Sequence, residues 1–191
     1  MTGSYMERIV LCTGNTGKVT ELKALLPSGI ALLDLDAVGL SNDLPETGDT
    51  LEANAIQKAS FAYERCGLPC IADDTGLEVD ALNGAPGVYS ARYAGDNRDP
   101  RANMAKLLVA MQGVSNRKAR FRTVLALVDG SGLRTFEGEV EGNISMAASG
   151  SGGFGYDPIF VPEGSALTFA EMDKAAKNVI SHRGRAVANL L

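Results

Sequence analysis

The sequence predicts an α/β domain built on a mixed β-sheet, and three features carry that prediction. Short apolar, strand-like runs alternate with helix-period segments from Ile9 onward, the pattern of a sheet covered by helices. One pair of extended runs is separated only by Asp129-Gly130-Ser131-Gly132, a hairpin turn that adds antiparallel pairing. The 191 residues suit one large domain with a sizeable core, and neither a repeat nor a linker interrupts them.

Taken in order, Ile9-Val10-Leu11 is a strand that runs into Thr13-Gly14-Asn15-Thr16-Gly17-Lys18. A first helix is expected over Lys18–Leu26, with Val19, Leu22, Leu25 and Leu26 on one face, stopped by Pro27-Ser28-Gly29. A short strand follows over Ile30–Leu35, then a polar loop over Ser41–Asp49 containing Pro45 and Gly48. A second helix starts near Asp49, where Asp49 and Glu52 have capping-box spacing, and runs to about Arg65 before Gly67 and Pro69. Cys70-Ile71-Ala72 is a short buried strand entering an Asp73-Asp74 turn. The third helix is capped by Asp99 with Pro100 at its first position, and Met104, Leu107, Leu108 and Met111 recur at helical spacing before Gly113. Ala119–Val128 is a strand apolar on both faces in its second half, hence central. Leu133–Glu141 is its hairpin partner, Pro158–Val161 is another strand, and Asp173–Leu191 is mostly helical.

Composition narrows the function. Hydrophobic residues make up 45% and charged residues 21%, as in ordinary globular proteins. A net charge of −5 argues against a nucleic-acid polymer as partner, since binding one needs a basic face. Cys12, Cys66 and Cys70 lack metal-ligand spacing, and one histidine, His182, cannot complete a zinc site with them. Free thiols place the protein in a reducing cytoplasm. No apolar run reaches membrane-spanning length and no signal pattern opens the chain, so no membrane is expected. Met1–Tyr5, ahead of a second methionine, read as an expression remnant or an alternative start and are set aside in reading the fold.

Three segments carry chemistry. The Thr13–Lys18 turn puts two glycines and a lysine where unpaired helix N–H groups attract anions, so a phosphate fits there, although a plain strand-to-helix turn has the same ingredients. Glu46, Asp73, Asp74 and Glu78 fall at expected element ends. Adjacent carboxylates after a buried strand repel unless neutralised, and Mg²⁺ is the usual solution; a polar turn is the other reading. Asn54 and Lys58, four apart, point the same way from helix two, and Lys58 can reach a phosphate or hold an acidic side chain. The segment from Ser149 to Pro158 combines glycines with Phe154, Tyr156 and Asp157. A flat base can stack on Phe154 while Asp157 accepts from a ring N–H, and at least one of the two aromatics is expected to fold inward. Lys177, Ser181, His182 and Arg183 cluster near the C-terminus.

The stretches TGNTGKVTEL (13–22), ETGDTLEANAIQKA (46–59), IADDTGLEVDALNGAPGVYSARYAG (71–95), GGFGYDPIF (152–160) and KNVISHRGRA (177–186) resemble, in this order, the inosine triphosphate pyrophosphatase family. These are the Ham1-like pyrophosphatases of non-standard purine nucleoside triphosphates, and the match is to their bacterial branch. The resemblance implies a single catalytic domain over residues 1–191, with a long central mixed sheet flanked by helices, in two lobes with the active-site cleft between them. It also implies hydrolysis of ITP, XTP or their deoxy forms to the monophosphate and pyrophosphate, dependence on Mg²⁺, and a homodimer. By motif position, Thr13, Gly14, Asn15, Thr16, Gly17 and Lys18 hold the triphosphate, with Asn15 and Lys18 the chief contacts. Glu46 and Asp74 bind metal, Asp74 is the general base, and Thr75 touches substrate. Phe154, Gly155, Tyr156, Asp157, Lys177, His182 and Arg183 form the base pocket.

One departure from the family pattern lies in helix two, where bacterial relatives commonly read Glu-Asn-Ala and this chain has Ala53-Asn54-Ala55. Two other readings stand beside the purine one: a Maf-like pyrophosphatase for pyrimidine or modified nucleotides, and a silent nucleotide-binding module. FGYDP and SHRG favour the purine branch over the first, and Glu46 with Asp74 favours an enzyme over the second. The sequence argues against a Walker NTPase, because TGNTGK lacks the required spacing and Val19 follows Lys18.

Overall fold

The computed structural model describes residues 7–191, so the expectation for Met1–Tyr5 lies outside the described residues. Among the described residues, seven strands form one sheet, in the order Ile30–Leu33, Glu7–Leu11, Cys70–Val79, Lys118–Asp129, Gly132–Ile144 and Phe160–Pro162, with Pro86–Gly87 paired to Cys70–Val79. β1 (Glu7–Leu11) lies parallel to both β2 (Ile30–Leu33) and β3 (Cys70–Val79), with Ile9 opposite Leu32 and Val10 opposite Cys70. β4 (Pro86–Gly87) is antiparallel to β3. β5 (Lys118–Asp129) and β6 (Gly132–Ile144) are joined by two residues, a link that only antiparallel neighbours can make. β7 (Phe160–Pro162) is antiparallel to β6. The sheet is therefore mixed, as expected.

Among the described residues, five α-helices accompany it. α1 (Thr16–Leu25) starts two residues earlier than expected, because the Asn15 side chain caps it by accepting from the Lys18 N–H. α2 (Leu51–Cys66) is capped by Thr50, whose Oγ1 accepts from the Ala53 N–H; Asp49 and Glu52 form no capping box. α3 (Pro100–Ala110) has the expected Asp99 cap and first-turn proline. The C-terminal helix is two helices, α4 (Lys174–Ile180) and α5 (His182–Leu190). Between them Ser181 is extended and its Oγ accepts from the Gly184 N–H, which restarts the helix.

Three further expectations are corrected. β2 ends at Leu33, and a short 3₁₀ turn over Asp36–Val38 follows. Pro158 and Ile159 belong to a 3₁₀ turn over Asp157–Ile159, so the strand after it starts at Phe160. The largest correction is β3. Asp73, Asp74, Thr75, Gly76 and Glu78 lie within one ten-residue strand, so the acids on it sit inside an element and not in a turn.

The chain divides into two compact units. The first takes in residues 7–74, Val124–Glu137 and Ala186–Leu191. Its core packs Ile9, Leu11, Leu22, Ile71, Leu125 and Val187 together. The second takes in Thr75–Thr123 and Gly138–Arg185, around Leu77, Leu107, Phe121, Tyr156, Phe160 and Phe169. The division falls between Asp74 and Thr75, neighbours on β3. Among the described residues, no helix is long and apolar enough to cross a membrane.

Candidate active site

In the first unit, α1, α2, β3 and the polar loop before α2 bring six side chains together. Strand alternation points Asp73 and Asp74 to opposite faces, and each meets its own lysine. Lys18 Nζ lies 2.5 Å from Asp73 Oδ1 and also donates to the Asp73 carbonyl at 3.2 Å. Lys58 Nζ donates to Glu46 Oε1 at 2.7 Å, to the Asp73 carbonyl at 2.8 Å and to Asp74 Oδ1 at 3.2 Å. The repulsion expected between neighbouring carboxylates is thus relieved by geometry and two ammonium groups.

The two aspartates differ in access. The Asp73 side chain is 0% exposed, whereas those of Asp74 and Glu46 retain 11% and 22%. Asp74 and Glu46 can therefore meet a ligand, and Asp73 serves as the anchor of Lys18. Burial raises the Asp74 carboxyl above its ordinary value, with Lys58 and Lys18 opposing the rise. Burial alone would lower the Lys58 ammonium, but Asp74, Glu46 and Asp73 outweigh it and its net shift is upward. A protonated lysine holding a proton-avid carboxylate is suited to accept a proton or to orient a hard cation.

Thr13, Gly14, Asn15, Thr16 and Gly17 form the turn between β1 and α1. The Thr13 Oγ1 accepts from the Asn15 N–H at 3.1 Å, and the Asn15 side chain is committed to capping. Gly14, Asn15 and Thr16 are exposed. A Cβ at Gly14 would stand 3.0 Å from Asn42 Cβ, so the turn is narrow there. Ala53, the departure from the family pattern, faces the loop: a Cβ on Gly48 would come within 2.7 Å of its own.

The second unit assembles the remaining residues. Asp157, only 3% exposed, accepts at Oδ2 from the Phe154 N–H at 2.8 Å and from Lys177 Nζ at 2.6 Å. A glycine is needed at 153, where φ is +67° and a Cβ would strike the Asp157 carboxylate. Phe154 is half-buried, with Lys177 Nζ 5.5 Å and Arg183 Cζ 5.7 Å from its ring centroid. Such separations are within cation–π range. Tyr156 is the aromatic that folds inward; its hydroxyl donates to the Ser90 carbonyl at 2.9 Å. Gly155 carries the left-handed backbone between them, with φ +61°. Arg183, 1% exposed, donates from Nη2 to Thr75 Oγ1 at 3.0 Å, and Thr75 pairs with Thr123 at 2.7 Å. His182 stacks on Phe121 with centroids 4.6 Å apart.

Every expected site residue therefore falls into one of two sets, Thr13–Lys18 with Glu46 and Asp74 in the first unit, and Thr75 with the aromatic and basic group in the second. Three contributors stand outside the expected site. Lys58 and Asn54 hold the acids of the first set, and Thr123 partners Thr75. The i, i+4 spacing of Asn54 and Lys58 was their sequence signal; Thr123 had none. Glu78, grouped with the other acids by sequence, instead pairs with Arg120 at 2.7 Å and Arg122 at 3.7 Å.

Comparison with known proteins identifies the family. A profile of the Ham1 family matches residues 9–191. A dITP/XTP pyrophosphatase of Porphyromonas gingivalis is 53% identical over 186 residues, covering 97% of this chain and 96% of that protein. One of Flavobacterium johnsoniae is 47% identical over 184 residues, covering 96% of each. Among solved structures, a HAM1 protein from Coxiella burnetii superposes with a TM-score of 0.88 at 41% identity, covering 97% of this chain and 96% of that one. The chain belongs to the Ham1 family.

Proposed function

We propose that this protein hydrolyses the triphosphates of non-standard purine nucleosides, dITP, ITP, XTP or dXTP, to the monophosphate and pyrophosphate, as one catalytic domain. The names of its close relatives, dITP/XTP pyrophosphatases, support the substrate class. The observation that carries the reading is Asp74: a carboxylate with raised proton affinity, partly open to solvent and held between Lys58 and Asn54.

The residues fit Mg²⁺. Glu46 and Asp74 are hard oxygen donors held near each other by Lys58 Nζ, which both reach, and each keeps some solvent access. Among the described residues, no cluster of three or more acidic, histidine or cysteine side chains is placed to hold a metal. A shell of two carboxylates completed by water and substrate phosphate oxygens is the habit of Mg²⁺ and not of zinc. Bound by Glu46 and Asp74, Mg²⁺ would neutralise phosphate charge. Asp74 takes a proton from the attacking water. Lys58 keeps Asp74 and Glu46 aligned, and Lys18 offers positive charge beside the α1 N-terminus, where Gly14, Thr16 and Gly17 offer backbone N–H groups to the phosphates, those of Thr13 and Asn15 being donated within the turn.

Base choice falls to the second unit. Hypoxanthine and xanthine carry an acceptor at C6 where adenine carries an amino donor. Donors such as Arg183 and Lys177 welcome the former and oppose the latter, while Phe154 offers a face for stacking and Asp157 fixes that loop. His182 is held against Phe121 beside Arg183. Free thiols at Cys12, Cys66 and Cys70 support a cytoplasmic setting, and a homodimer is part of the same reading.

The test is to compare kcat/KM for dITP and XTP with that for ATP and GTP, with Mg²⁺ and after chelation. The keto purines dITP and XTP should lead ATP by about a hundredfold or more, the scale of a misplaced polar contact. Chelation should abolish turnover. Equal rates for dITP and ATP would overturn the base assignment.

A further inference from the structure

We infer that Asn54 is a positioning residue for the hydrolysis proposed above, on which this inference rests. Its amide sets the plane of the Asp74 carboxylate and ties down the loop that carries Glu46. Asn54 is 2% exposed on α2, and a buried primary amide must place both of its ends. Its Oδ1 accepts from the Gly48 N–H at 2.8 Å, two residues beyond Glu46. Its Nδ2 donates to Asp74 Oδ2 at 3.3 Å.

One helical turn later, Lys58 takes the other Asp74 oxygen, Oδ1, and Glu46 Oε1. The two oxygens of Asp74 are thereby made different, one facing a cation and one facing a neutral amide. A carboxylate held at one oxygen turns freely about its last bond, because that torsion is broad. Two donors from one face of α2 remove that freedom. The loop is equally constrained: a Cβ on Gly48 would lie 3.0 Å from Asn54 Oδ1 and 2.7 Å from Ala53 Cβ, so Gly48 rests directly on the first turns of α2. A single side chain thus couples both acids that the reaction needs.

Two variants separate this role from mere anchoring of the loop. Asn54→Asp keeps an acceptor for the Gly48 N–H but loses the donor to Asp74; Asn54→Ala loses both. With dITP and Mg²⁺, both variants should lose about a hundredfold in kcat, the cost of misplaced catalytic geometry. KM should stay within about threefold, as expected when a contact matters only in the transition state. Hydrogen exchange of the Gly48 amide, read without nucleotide, should speed up about fivefold in Asn54→Ala, the worth of one hydrogen bond, and stay at the parental rate in Asn54→Asp. Parental kcat in Asn54→Asp would show that Asn54 anchors the loop only and would overturn the inference. If that variant does not fold, parental kcat in Asn54→Ala overturns it equally. A parent that does not turn over dITP removes the proposed function and this inference with it, whereas an active parent with active variants removes the inference alone.

Discussion

Asp74→Asn should fold, bind nucleotide and fail to turn it over, with kcat for dITP lower by about a thousandfold, within the range that general bases contribute. The substitution keeps the shape of the side chain and leaves an amide between Asn54 and Lys58. What it removes is the charge that, in the proposed reaction, accepts a proton from water and helps bind a cation. The affinity for nucleotide should change little, because Lys18 and the capped turn before α1 are untouched. Raising the Mg²⁺ concentration should not restore the rate, since loss of the base is independent of metal occupancy. Steady-state kinetics beside a nucleotide-binding titration check this. A kcat within about tenfold of the parent would place the base elsewhere, because even a modest general base contributes more.

Lys58→Met should be the most destabilising conservative-volume change in the first unit. Lys58 is 4% exposed and satisfies Glu46, Asp74 and the Asp73 carbonyl together. Methionine fills much of the same space but takes the ammonium away from two carboxylates and from the Asp73 carbonyl, leaving Asp74 its Asn54 contact and the carbonyl its Lys18 contact. Breaking one partner of a buried ionic group costs about 3–5 kcal/mol, far more than the intact group contributes over an apolar replacement. In a chain of this length, a loss of that size lowers the melting temperature by about 10 °C. The upward shift of Lys58 means that the parent keeps this cation throughout the neutral range, so the gap should persist there. Denaturant titration of parent and variant measures it. An unchanged midpoint would mean that Glu46 and Asp74 are solvated well enough to need no counter-ion.

Local chemistry made some elements legible and long-range contacts hid others. The Asp99 cap, Pro100 and the apolar spacing of α3 lie within one segment, and that helix appears where its sequence puts it. At α2 two neighbouring residues could cap, and Thr50 is the one that does, with Leu51 buried next to it. β3 was misjudged because Asp-Asp-Thr-Gly has the composition of a turn. It remains a strand because Lys18, Lys58, Thr123 and Arg120, all far away in sequence, satisfy its polar side chains. The break at Ser181 had a local signal in Ser-His-Arg-Gly that periodicity alone passes over. At Gly184 a Cβ would collide with the Asn178 carbonyl, so the restart of the helix is tight.

The candidate site shows the same division. Asn15 and Lys18 could be placed at a helix start from sequence, but not the commitment of one to capping and of the other to Asp73. Asp157 was expected to face a base, and its observed partners are Phe154 and Lys177. Asn54 and Lys58 shared a face by spacing, yet only the fold reveals that this face looks onto Asp74.

The central claim is that water, activated at Asp74, separates a purine monophosphate from pyrophosphate. The most direct measurement is the identity of the phosphorus products from dITP, resolved by ³¹P NMR for the parent and for Asp74→Asn. Pyrophosphate and dIMP in equal amounts from the parent, with about a thousandth of either from the variant in the same time, is the predicted result. Orthophosphate with dIDP from the parent, or undiminished pyrophosphate from the variant, would contradict it.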